Sequence, residues 1–117
     1  MANLRRVAPE LPVRDLTLAL EYYTGPLGFD VASVMPNRDY AVVERDDVAL
    51  HLFTAPSGTA ASVSIHVFTT GLEELHDELQ SRGALITQGL VEQPWGTRDF
   101  RVADQAGNVI KFTEAAS

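Results

Sequence analysis

The sequence predicts an α+β fold built from one supersecondary unit, βαβββ, used twice. Three observations carry this. Apolar residues recur at helical spacing in 16–24 and again in 72–81, and each of these segments runs into a glycine-containing stop. Three short runs bounded by turn residues follow each helix, as strands of a meander would. A strand-like run also precedes each helix, so the order repeats with a period of about 60 residues.

In the first unit, 4–11 is short and partly apolar, and Asp15 offers its carboxylate as the cap of a helix over 16–24. Leu16, Leu20 and Tyr23 form the inner stripe of that helix, Tyr22 is partly exposed, and Gly25-Pro26-Leu27-Gly28 ends it. Strands are then expected over 31–35, 40–44 and 48–53, joined by turns at Pro36-Asn37-Arg38-Asp39 and Arg45-Asp46-Asp47. Ala55 to Ala61 reads as the linker between a first module of about 4–54 and a second of about 62–114, all within one domain of 1–117. In 62–69, Val63, Ile65 and Val67 alternate with Ser64 and His66, the pattern of a half-buried strand. Thr70 and Glu73 read as a capping box for the helix over 72–81, whose stripe is Leu72, Leu75 and Leu79. Arg82-Gly83 stops it, and strands over 86–91, 98–103 and 109–113 complete the unit, the last two joined by Asp104-Gln105-Ala106-Gly107-Asn108. Neither half can bury a sheet face alone, so the two must share a surface.

Composition narrows the function. The chain has 117 residues, 45% of them hydrophobic, enough for the core of one ordinary domain. A formal charge of -7 with only 9 Lys and Arg argues against a nucleic-acid backbone as partner and tolerates a cationic small molecule. No apolar run approaches the roughly 20 residues needed to span a bilayer, and Met1-Ala2-Asn3-Leu4-Arg5-Arg6 lacks the apolar stretch of a secretory signal; a soluble, cytoplasmic protein is expected. With no cysteine there is no disulfide, thiolate ligand or Cys nucleophile. Glycine-rich phosphate loops, nucleophile elbows and paired histidines at metal spacing on a helix are also missing, which favours binding over chemistry.

Three groups of residues carry a family resemblance: Leu11-Pro12-Val13-Arg14-Asp15 followed by Glu21-Tyr22-Tyr23 and Leu27-Gly28-Phe29; Leu75 to Arg82-Gly83-Ala84; and Trp95-Gly96-Thr97-Arg98-Asp99-Phe100 with Asp104-x-x-Gly107-Asn108. In this order and spacing, over nearly the whole chain, the sequence resembles the vicinal oxygen chelate family, which includes glyoxalase I, extradiol dioxygenases, fosfomycin-modifying enzymes and the bleomycin-resistance binding proteins. The resemblance implies paired βαβββ modules, a curved mixed sheet around a concave pocket, and a homodimer. Many enzymes of the family hold a divalent metal with one ligand from each of four strands, where imidazole and oxygen donors leave positions open for substrate. Motif-anchored alignment puts those positions at Ala8, His51, Ser64 and Lys111, of which only His51 is a competent donor. Glu10, His66 and Glu114 are the nearest substitutes, but His66 lies two residues along its strand, about 7 Å away. The metal pattern is therefore broken, and the chain looks like the metal-free binding branch, with no cofactor.

The candidate ligand residues are His51, Phe53, Ser64, His66, Trp95, Arg98 and Phe100. If Leu50 and Leu52 face the helices, His51 and Phe53 face the concavity, and Phe53 is a better lining residue than Phe68 or Phe112. Ser64 and His66 share one strand face, whereas His76 reads as a surface residue. Trp95 offers a flat apolar face for a planar or cationic group, and Gly96 lets backbone pass close to something bulky; alternatively Trp95 packs against another subunit or the linker. Arg98 and Phe100 share a strand face, with Asp99 opposite, and Arg98 and Asp99 could instead pair with charges across a dimer. The expected function is metal-independent sequestration of a planar or partly cationic small molecule such as an antibiotic. The rival is a metal-dependent lyase, isomerase or dioxygenase with a rearranged site using His51, His66 and an acidic residue; a third reading is a sensor or auxiliary subunit. Whether modules pair within a chain or exchange between subunits is left open by the sequence.

Overall fold

A computed structural model describes residues 1–55 and 61–115; residues 56–60, most of the expected linker, lie outside the described residues. The elements are β1 (Glu10–Val13), α1 (Leu16–Thr24), β2 (Asp30–Val34), β3 (Tyr40–Arg45), β4 (Val48–Thr54), β5 (Ser64–Phe68), α2 (Leu72–Ser81), β6 (Leu85–Glu92), β7 (Thr97–Ala103) and β8 (Val109–Ala115). The α+β class and the doubled βαβββ order are those the sequence predicts. Two four-stranded mixed sheets form, ordered β1-β4-β3-β2 and β5-β8-β7-β6, and in each the first strand runs parallel to the last.

One helix covers one face of each sheet. Leu11, Ala41, Val43, Leu50 and Leu52 of the first sheet are buried together with Leu16, Ala19, Leu20 and Tyr23 of α1. Phe100, Val102, Ile110 and Phe112 of the second sheet join Leu72 and Leu79 of α2 in the same cluster, so a single apolar core runs through both halves. No described helix is long and apolar enough to cross a membrane.

Four local expectations are corrected. The first strand starts at Glu10 rather than Leu4, because Pro9 has no N–H to extend the ladder and Leu4 and Val7 are exposed. Thr70 and Glu73 form no capping box: the α2 N-cap is Gly71, and the Leu72 N–H donates instead to Glu114 Oε2, 3.0 Å away on β8. His76 is not a surface residue; its side chain is only 14% exposed and stands edge-on to Phe100. At Gly96 nothing lies within 4 Å of where a Cβ would be, so glycine serves the backbone angle (φ 96) and not a close approach.

The halves are joined at the β7–β8 turn and along the helices. Asp104 is buried, and its carboxylate accepts from the backbone N–H groups of Ala106 and Asn108, from Asn108 Nδ2 and from the Tyr23 hydroxyl. Asn108, fully buried, donates to Pro12 O at 2.8 Å and accepts from Val63 N at 2.9 Å, tying β1 to the start of β5. Burial, then the Asp104 charge, push the Tyr23 phenol far above its ordinary range. Elsewhere Arg45 makes a bidentate pair with Glu78 at 2.9 and 2.7 Å, which holds the Glu78 carboxyl below its usual value. Gly28 makes room for that pair, since a Cβ there would sit 2.6 Å from Arg45 Nη1.

Candidate ligand-binding site

The face of each sheet away from its helix is open. In the first sheet, register pairs Glu10 and Val42 with His51, and Pro12 and Tyr40 with Phe53, so these six side chains share that face. This confirms the strand parity expected for His51 and Phe53, both of which are half-buried. The Tyr40 hydroxyl lies 2.7 Å from Glu10 Oε2 and 2.6 Å from His51 Nδ1, and the Tyr40 and His51 rings meet edge-on at 5.6 Å. The hydrogen bond to Glu10 raises the Tyr40 pKa. Two rings, Tyr40 and His51, thus sit beside one carboxylate.

In the second sheet, His66 is opposite Lys111 and hydrogen-bonds Thr113 through Nε2, while its ring stacks on Phe68 at 4.4 Å. Phe68 is 73% exposed. Asp99, on the same face, is wholly sheltered by Gln88 Nε2 at 2.6 Å and Gln93 Nε2 at 2.9 Å, with Lys111 Nζ at 3.9 Å. Burial works against the Asp99 carboxylate, but the two amides, Lys111 and Arg101 outweigh it and hold its pKa below the ordinary value. A depressed pKa means stability that is present above the unfolded-state value near 3.8 and lost as pH falls through the folded one. Urea midpoints measured from neutral pH into acid are therefore expected to fall along a steeper limb for the parent protein than for Asp99→Asn.

The seven candidate residues are not all brought together. His51 and Phe53 lie on the first open face; Ser64 and His66, both exposed, lie on the second, and no hydrogen bond or ring contact among the described residues links the two sets. Trp95 is 68% exposed in the β6–β7 turn. Arg98 and Phe100 point to the helix side of the second sheet. Arg98 pairs with Glu73 at 2.7 Å and Glu114 at 2.8 Å, fastening α2 to β8. Phe100 is fully buried between the Phe112 ring and the His76 edge, so it offers no surface to a ligand. The expected lining role of Phe100 is thus replaced by a core role, because β7 turns its even-numbered side chains under α2.

Sequence reasoning missed a cavity of about 850 Å³ between the halves. Leu27, Phe29 and the Arg45-Asp46-Asp47 turn form one wall, and Phe68 to Gly71, Glu74 and Leu75 the other. Phe68 and Phe112, ranked behind Phe53 from sequence, both line it. The Leu27-Gly28-Phe29 motif, explained by the Arg45–Glu78 crossing, was the available clue.

The donor set fits a metal poorly. Ala8 has no donor atom, Lys111 is a cation beside Asp99, and Glu114 is engaged by Arg98 and the α2 N-terminus. Among the described residues no group of three or more His, Asp or Glu is placed to hold an ion.

Comparison with known proteins agrees with this architecture. A sequence profile described as the Glyoxalase/Bleomycin resistance protein/Dioxygenase superfamily matches residues 4–112. The chain is 28% identical over 123 residues to a bleomycin resistance protein of Geobacillus stearothermophilus, covering 89% of this chain and 92% of that one. It superposes on the bleomycin-binding protein of Streptomyces verticillus, solved with copper(II)-bleomycin, with a TM-score of 0.76 and 26% identity over 100% of this chain and 99% of that one. TioX from Micromonospora sp. ML1 shares the fold, with a TM-score of 0.82 and 21% identity over 95% and 98% of the two chains.

Proposed function

The chain belongs to the Glyoxalase/Bleomycin resistance protein/Dioxygenase superfamily, and we propose that within it this protein binds and sequesters a planar or partly cationic small molecule, such as an antibiotic, without a metal. What supports the reading is the set of side chains that motif-anchored alignment puts at the four metal positions of the family's enzymes: methyl, imidazole, hydroxyl and ammonium groups at Ala8, His51, Ser64 and Lys111. One imidazole without companion donors, and an ammonium that repels a cation, hold a metal poorly, whereas the rings on the open faces suit enclosure of an apolar body. Similarity to two proteins named for bleomycin supports a ligand of antibiotic type, and the charge of -7 favours cationic character in it.

In this reading both halves act as one cytoplasmic domain, and two copies pair so that open sheet faces cover each other. Phe68 and Trp95, strongly exposed on one chain, support that pairing. The ligand then lies between the faces, with His51, Phe53, Ser64, His66 and Trp95 contributing.

A thermal-shift panel of glycopeptide, mitomycin-like and planar aromatic cations tests the proposal. A ligand at a hundredfold its Kd adds about 2.7 kcal/mol of stability, a shift easily read. Trp95→Ala is expected to weaken that ligand by about 3- to 10-fold while changing unliganded stability by less than about 0.5 kcal/mol. Equal affinity in the variant would take Trp95 out of the site. The metal-dependent rival draws on His51 lying beside Glu10; a stoichiometric divalent ion in protein purified without chelator would favour it over sequestration.

A further inference from the structure

The hydrogens around Tyr40 can be counted. Its hydroxyl has one proton and two neighbours, Glu10 Oε2 at 2.7 Å and His51 Nδ1 at 2.6 Å. A carboxylate accepts and never donates, so the phenolic proton belongs on the Glu10 side. The Tyr40 oxygen then has only lone pairs to offer His51, and a 2.6 Å contact between two lone pairs would be repulsive. His51 Nδ1 must therefore carry a hydrogen. Neutral imidazole has one N–H, which leaves Nε2 bare. Among the described residues Nε2 has no hydrogen-bond partner, and the ring lies on the open face with Phe53 and Val42.

We propose that Glu10 and Tyr40 act as positioning residues that lock His51 in its Nδ1–H tautomer, so that Nε2 becomes the hydrogen-bond acceptor of the open face. The ligand class this selects is a planar aromatic compound that presents an N–H donor, such as an aryl amine or amidinium, at its edge. The ring body rests against Phe53 and the donor meets His51. An equally flat compound without a donor leaves Nε2 desolvated and unpaired, which costs binding. The selection rests on the open-face reading of the function; the tautomer does not.

Two measurements on the full-length protein decide it. Long-range proton–nitrogen NMR of labelled histidine, recorded well above the ordinary imidazole pKa, is expected to show His51 Nε2 unprotonated. Tyr40→Phe removes the accepting oxygen, and Glu10→Ala frees the phenol to donate to Nδ1; both are expected to move the hydrogen to Nε2. A parent spectrum with Nε2–H overturns the proposal, as does an unchanged tautomer in Glu10→Ala. Calorimetric titration with proflavine and with acridine then reads selection. The preference of the parent protein for proflavine, which carries amino groups, is expected to drop by about tenfold in His51→Phe. An unchanged preference overturns the selection. If neither dye binds while Nε2 is bare, the open-face function fails and the tautomer stands; if a dye binds to an Nε2–H form, the inference alone fails.

Discussion

Asn108→Ala is expected to lower stability by about 3–4 kcal/mol, a fall of about 10–15 °C in melting temperature. One truncation leaves Val63 N without its acceptor, Pro12 O without its donor and Asp104 Oδ2 short of one of its two donors. All lie at the joint between halves, where water cannot easily replace the lost groups. Asn108→Asp keeps the shape and is expected to be as damaging, because it brings a second carboxylate within about 2.9 Å of Asp104. Urea unfolding reads both. Tyr23→Phe removes one bond from the same carboxylate and should cost nearer 1 kcal/mol. A parent-like midpoint for Asn108→Ala would mean the turn does not hold the halves.

Phe100→Ala should cost about 3–5 kcal/mol, the range for emptying a fully buried aromatic site. Its ring is stacked on Phe112 at 5.2 Å and met edge-on by His76 at 5.2 Å, so the hole opens at the seam between sheet and helix. Phe100→Leu fills most of that volume and should cost below about 1.5 kcal/mol. Calorimetric titration of the folded protein should find ligand affinity unchanged in Phe100→Leu, the reverse of the pattern for Trp95→Ala. Affinity lost in step with Trp95→Ala would return Phe100 to the ligand surface.

Much of the fold was legible because its signals are local. Both helices have the predicted bounds, since Asp15 caps one in place and the leucine stripes of both are periodic. Strand parity placed His51 and Phe53 on the open face because alternation is a property of the chain itself. The failures involve partners distant in sequence. Thr70 and Glu73 have the capping-box spacing, yet Glu114, from 42 residues away, takes the N–H. Arg98 read as a ligand contact because nothing in its neighbourhood named Glu73 or Glu114. For β7, alternation sorted side chains into two faces without saying which one α2 would cover. Asp104 to Asn108 reads from the sequence as a turn and as part of the resemblance; only the fold reveals that it is a joint.

That joint has a consequence for how such a protein changes over generations. The described hydrogen bonds that marry the two halves run through the β7–β8 turn, α1, α2 and the Arg45 crossing, and none passes through His51, Phe53, His66 or Trp95. Side chains on the open faces can therefore mutate without loosening the hinge pin of the architecture. A lineage carrying this arrangement is free to vary those faces one side chain at a time, while the clasp stays shut.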